Sequence, residues 1–166
     1  MAIFPIRIFG DPVLREKSLR VQEIDKKIKA LSVDMAETMY KDAGIGLAAP
    51  QIGVLKQVII LDMGKDGYVV YVNPRIKEAS RSKKTEEEGC LCLPNIQVPV
   101  SRSKKVIVEA LDLQGRPVVI EADDLLARAL QHEIDHLEGI TILQKTDPQS
   151  KQTALREFME ARERAT

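Results

Sequence analysis

Cysteine and histidine are scarce in this chain of 166 residues, which has two of each. The cysteines, Cys90 and Cys92, stand one residue apart. A bridge between them would be strained at this spacing and would join no distant segments, so there is no disulfide framework, and both are expected as thiols in a reducing compartment. Net charge is also missing: 25 Lys and Arg balance 25 Asp and Glu, leaving no overall field to draw the chain to nucleic acid or anionic lipid. No apolar run exceeds about five residues, against the roughly 20 that cross a bilayer. The opening MAIFPIRIFGDP lacks the apolar core and small-residue cleavage site of a secretory signal, so the expected compartment is the cytoplasm. Repeats, biased segments and long linkers are absent too. What is present, 44% hydrophobic and 30% charged residues, predicts one globular domain over 1–166 that buries roughly 70% of its unfolded surface.

Hydrophobic spacing divides the chain. From Asp25 to Asp42, Ile28, Leu31, Met35 and Met39 fall on one helical face, with Asp25 as the cap and Gly44 as the expected stop. An Asp11-Pro12 pair marks a short helix start before it. Between Gly44 and Glu121 the β-branched runs QVIILDM, YVVYVNPRI and KVIVEALDL predict largely antiparallel strands, with turns at Lys65-Asp66-Gly67 and Gln114-Gly115. Helical spacing returns in DDLLARALQHEIDHL (123–137), which places Leu126, Leu130 and Leu137 toward the sheet and Gly139 at the stop. A last helix is expected from Asp147-Pro148 toward Arg164, with Leu155, Phe158 and Met159 along one side. The fold class is α+β, with mainly antiparallel strands around a central helix and further helices toward both termini.

Both histidines lie in that central helix, as His132-Glu133-Ile134-Asp135-His136. Residues i and i+4 share a helical face, so two imidazoles can meet one metal ion while Glu133 reaches a water beside it. HExxH also occurs by chance, and a hydrolytic site needs a third protein ligand. The extended pattern HExxHxxGxxH fails, because Ile142 stands where the third histidine belongs. A downstream glutamate, Glu157, keeps an endopeptidase-like arrangement open. A thiolate from Cys90 or Cys92 is the other candidate, although a free cysteine is often only a small buried hydrophobe. A closed structural site using both thiols also remains open.

Three segments in order, GIGLAAPQIG (44–53), EGCLCLP (88–94) and QHEIDHLEG (131–139), together with DPVLR and Val72-Asn73-Pro74, resemble the signature motifs of bacterial peptide deformylases over essentially the whole chain. The resemblance implies metal ligands Cys90, His132 and His136. It implies ferrous iron as the usual ion, with zinc, nickel or cobalt able to replace it. Cys92 departs from the serine common at that place in the family. The implied reaction is hydrolysis of the formyl group from the N-formylmethionine of newly made proteins.

Within that reaction the resemblance gives Glu133 the proton transfers, and Gln51 and the Leu91 N–H the stabilisation of the oxyanion. It sets backbone around Ile45, Gly46 and Gly89 along the extended substrate. Leu125 and Ala129 precede His132 by seven and three residues, so they share its helical face and can border a pocket for the methionine side chain. Glu88 can pair with Arg102 to hold the cysteine segment, although solvated surface is the expected place for such charges. In an extended strand, Cys90 and Cys92 would carry their sulfurs about 6 to 7 Å apart, too far to share one ion readily. Over 145–166 basic residues outnumber acidic ones by one. That is no nucleic-acid signal, and whether the C-terminal segment contacts the ribosome, as in some family members, is open.

Overall fold

Asp25 opens the first long helix by accepting a hydrogen bond from the Ile28 N–H at 3.0 Å, satisfying one of the free donors of a helix N-terminus. The computed structural model describes residues 2–166, and in it this helix, α1, spans Lys26–Lys41. Ile28, Met35 and Met39 are buried, and Leu31 packs on the same cluster from a partly buried position. The end of α1 differs from the expectation. Ala43, not Gly44, takes the left-handed conformation, with φ 54°. Gly44 is needed for closeness instead, because a Cβ there would stand 2.9 Å from Leu91 Cδ1.

Among the described residues seven strands follow or interleave: β1 (Gly46–Ala48), β2 (Val58–Leu61), β3 (Val69–Ala79), β4 (Lys83–Cys90), β5 (Leu93–Ser103), β6 (Lys105–Leu111) and β7 (Pro117–Asp123). Five of them form an antiparallel sheet in the order β1-β2-β3-β6-β7, while β4 and β5 make a separate antiparallel hairpin. The β-branched runs seen in the sequence supply β2, β3 and β6. Nothing in the sequence announces β4, because its residues Lys83 to Glu87 are charged or polar and exposed. The Val72-Asn73-Pro74 segment sits at a register shift between β3 and β6, where the proline's missing N–H breaks no regular ladder. Asn73 adopts φ 52° and clamps Val21 from both sides, accepting from its N–H at 2.8 Å and donating to its carbonyl at 2.9 Å.

The central helix α2 (Asp124–Leu137) leaves β7 directly. It sets Ala127, Leu130, Ile134 and Leu137 against Ile59, Leu61 and Val108 of the sheet, each large apolar side chain stabilising the fold by about 1.5 to 3 kcal/mol. Gly139 ends it at φ 74°. A Cβ there would stand 2.4 Å from the carbonyl oxygen of Arg15, so this glycine also admits the short 3₁₀ turn Pro12–Arg15, capped by Asp11. After α3 (Ile142–Lys145), helix α4 (Pro148–Ala165) starts at Asp147, which accepts from the Ser150 N–H at 2.8 Å. Ala154 and Phe158 of α4 and Ile142 and Leu143 of α3 cover Leu93, Val98 and Val100 of β5. Met159 departs from its expected inward place and is 55% exposed. No helix among the described residues is long and apolar enough to cross a membrane.

Candidate metal centre

Three structural elements meet where the sequence motifs converge. The first is β1 with the 3₁₀ turn Ala49–Ile52, the second is the tip of the β4–β5 hairpin, and the third is the middle of α2. They surround a cleft of about 1130 Å³ whose lining includes Ile45, Gly46, Gln51, Gly89, Cys90, Leu91, Leu125, Ala129, His132 and Glu133. His136, 1% exposed, lies beneath it with Nε2 3.3 Å from Cys90 Sγ. Ten of the residues expected at the site thus line one cleft, and His136 adjoins it through Cys90. Leu125 stands 55% exposed at the rim rather than in the core, while Ala129 is buried.

The thiols contradict the extended-strand expectation. The chain turns at Leu91 and Cys92, and Cys90 Sγ lies 3.1 Å from Cys92 Sγ. Ligand atoms of Cys90, Cys92 and His136 all fall within 4.8 Å of one another, a soft and borderline donor set suited to zinc or ferrous iron, while His132, the third ligand that the resemblance implies, lies outside that group. Burial and the hydrogen bond with Cys92 matter most for the Cys90 thiol. The Cys92 bond comes first, burial second, and together they push the thiol pKa up to about 11, so a metal binding here must displace a proton.

His132 is oriented from behind. Its Nδ1 lies 2.9 Å from Glu88 Oε1, which with an ionised glutamate fixes the proton on Nδ1 and leaves Nε2 free as a ligand atom. Burial opposes the charge on Glu88, yet the hydrogen bonds from His132 and Arg102 outweigh it and lower the carboxyl to about 2. Arg102 grips Glu88 through Nε at 2.9 Å and Nη2 at 3.0 Å and also bonds Asp135. Arg128 adds a contact at 2.5 Å. Glu88, Arg102 and Arg128 are all buried, so the expectation of solvated charges is corrected. Burial across three elements, invisible in the sequence, makes this pairing necessary.

Glu133 stands between the two histidines in sequence and against the cleft in space. Its Oε1 is 3.9 Å from His132 Nε2, and Oε2 is buried with no hydrogen-bond partner among the described residues. Burial pushes its carboxyl up to about 7, against the pull of His132 and Arg102. Gly46 makes room for it, since a Cβ there would come within 2.9 Å of Glu133 Oε1 and 2.7 Å of Leu61 Cδ2. Gln51, 1% exposed, has its carbonyl oxygen held by the Ala48 N–H at 2.8 Å. Its amide nitrogen is thereby aimed at Cys90 Sγ, 3.5 Å away. Glu157, the rival third ligand, is exposed on α4 and does not line the cleft.

The chain is similar to known proteins over most of its length. The family model described as polypeptide deformylase matches residues 3–152. A peptide deformylase from Finegoldia magna is 44% identical over 146 residues, covering 87% of this chain and 90% of the relative. One from Natranaerobius thermophilus is 48% identical over 147 residues, covering 89% and 94%. A crystal structure of a peptide deformylase from Legionella pneumophila superposes with a TM-score of 0.93 at 38% identity, covering 98% of this chain and 96% of that one. By the extent of these matches and the convergence of its motifs on one cleft, the chain belongs to the polypeptide deformylase family.

Proposed function

We propose that this chain hydrolyses the formyl group from the N-terminal formylmethionine of newly synthesised proteins, releasing formate and a free amine. The observation that carries the reading is the convergence of Cys90, His132, His136, Glu133 and Gln51 on one cleft. Cys90, His132 and His136 would hold a divalent ion, ferrous iron in the native enzyme, with zinc, nickel or cobalt as substitutes. Bound there, the ion supplies Lewis-acid activation of water and of the formyl carbonyl.

The chain's own groups supply the rest. Glu133 accepts the proton of the attacking water and passes it to the departing nitrogen, a role suited to a buried carboxyl held near neutrality. The Gln51 amide and the Leu91 N–H donate to the oxygen that gains charge as the formyl carbon becomes tetrahedral. Fixed donors of this kind cost no reorganisation during the reaction. Strand β1 is an edge of its sheet, so backbone at Ile45 and Gly46, with Gly89 opposite, can take an extended peptide in strand-like fashion. Leu125 and Ala129 border the place of the methionine side chain.

The partners are therefore N-formylmethionyl nascent chains in the cytoplasm, and α4 is the element through which a ribosome contact would be made. Anaerobic purification with metal analysis, followed by assays on formyl-Met, acetyl-Met and internally blocked peptides, tests the reading. One metal per chain, a strong preference for the formyl substrate, and loss of activity of the native form in air are expected. Cleavage of internal peptide bonds without deformylation would overturn it, and an air-stable native metal form would count against iron.

A further inference from the structure

The turn at the tip of the β4–β5 hairpin gives the two thiols unequal surroundings. Cys90 borders the cleft, whereas Cys92 is 1% exposed and belongs to the interior. Their sulfurs lie 3.1 Å apart, so a covalent bond of about 2.05 Å requires an approach of only about 1 Å. No other cysteine exists in the chain to compete. We infer that Cys92 is a resolving thiol for Cys90: oxidation of Cys90 by a hydroperoxide entering the cleft ends in an intramolecular Cys90–Cys92 disulfide instead of irreversible damage.

The steps balance. The Cys90 thiol gives up its proton as its sulfur attacks the hydroperoxide, an S–O bond forms as the O–O bond breaks, and the departing oxygen takes up that proton and leaves as an alcohol, or as water from hydrogen peroxide. Cys90 is now a sulfenic acid and the peroxide is reduced. The Cys92 sulfur then attacks the Cys90 sulfur, the S–S bond forms, the S–O bond breaks, and the hydroxyl leaves with the Cys92 proton as water. Access sets this order, because Cys90 lines the cleft and is partly exposed while Cys92 is buried beside it. Without a neighbouring thiol, a sulfenic acid proceeds to sulfinic acid, which ordinary thiols cannot reduce. A disulfide can be reduced by thiol exchange. It also withdraws the thiolate a metal requires, a consequence that rests on the proposed assignment of Cys90 as ligand, whereas the disulfide itself does not.

The experiment treats the full chain, metal-free and metal-loaded, with hydrogen peroxide under anaerobic conditions and maps the peptide that contains both cysteines by mass. The expected product is that peptide lighter by two hydrogens, restored by dithiothreitol together with zinc uptake. In Cys92→Ser and, as a second variant, Cys92→Ala, Cys90 should instead gain two oxygens. Dithiothreitol should then recover at least about tenfold less free thiol than in the native chain. Native chain that accumulates sulfinic acid at Cys90 while Cys92 stays reduced would overturn the inference, as would equal recovery in native and variant proteins. A disulfide that forms but leaves zinc uptake intact would support the resolving role and overturn the assignment of Cys90 as ligand.

Discussion

Glu88 Oε1 lies 2.9 Å from His132 Nδ1, and this contact joins the buried charges of the hairpin to the ligand face of α2. The carboxylate receives two guanidinium groups and one imidazole, so its charge is compensated at a largely buried position. Glu88→Gln keeps the shape but removes the charge that fixes the His132 tautomer. Metal affinity should fall by about 10- to 100-fold, read by competition with a chelator of known strength. Glu88→Ala should in addition lower the free energy of unfolding by about 1 to 3 kcal/mol, because Arg102 and Arg128 each lose one buried contact while Arg102 keeps Asp135 and Arg128 keeps Glu86, read by equilibrium denaturation.

Glu133→Gln retains size and hydrogen-bonding capacity but cannot take up a proton. Bound metal should be unchanged while turnover drops by at least about 10²-fold. Unchanged turnover would remove Glu133 from the mechanism.

Gln51→Ala deletes an amide whose direction is set by the Ala48 N–H. If that amide acts only on the transition state, kcat should fall by roughly 10²-fold with little change in KM. An effect confined to KM would assign it to ground-state binding instead.

Gly46→Ala introduces a Cβ into the space that Glu133 Oε1 and Leu61 Cδ2 now occupy. Glu133 must shift, and because a displacement of about 1 Å can cost about 10²-fold in rate, turnover should fall strongly. Stability should fall by about 1 to 3 kcal/mol from the overpacking at Leu61. A variant with native turnover would show that the β1 backbone yields more easily than its pairing with β2 suggests.

Cys90→Ser should lose the metal, since a hydroxyl is a harder and poorer ligand than a thiolate. Cys92→Ser should retain metal and most of the activity. Metal content and deformylation in both variants check the pair. The opposite result would reverse the ligand register, and loss in both would favour a closed site using both thiols.

Sequence by itself determined the elements whose signals are local. Asp25, Asp11 and Asp147 cap at their own positions, the β-branched runs became β2, β3 and β6, and His132 with His136 share a helical face because 3.6 residues make a turn. It also marked the segments around Gln51, Cys90 and His132, which the fold brings to one cleft. Tertiary structure decided what depends on contacts between distant segments. Charged β4 carries no strand signal and exists through its pairing with β5. Glu88 and Arg102 are buried only because the hairpin folds onto α2, and low dielectric then forces charges that look like surface to pair. The spacing of Cys90 and Cys92 in the sequence could not say whether their sulfurs diverge along a strand or meet at a turn. The turn after β4 brought them to 3.1 Å, because where a strand ends is set by its partner's register and not by the identity of the two residues themselves.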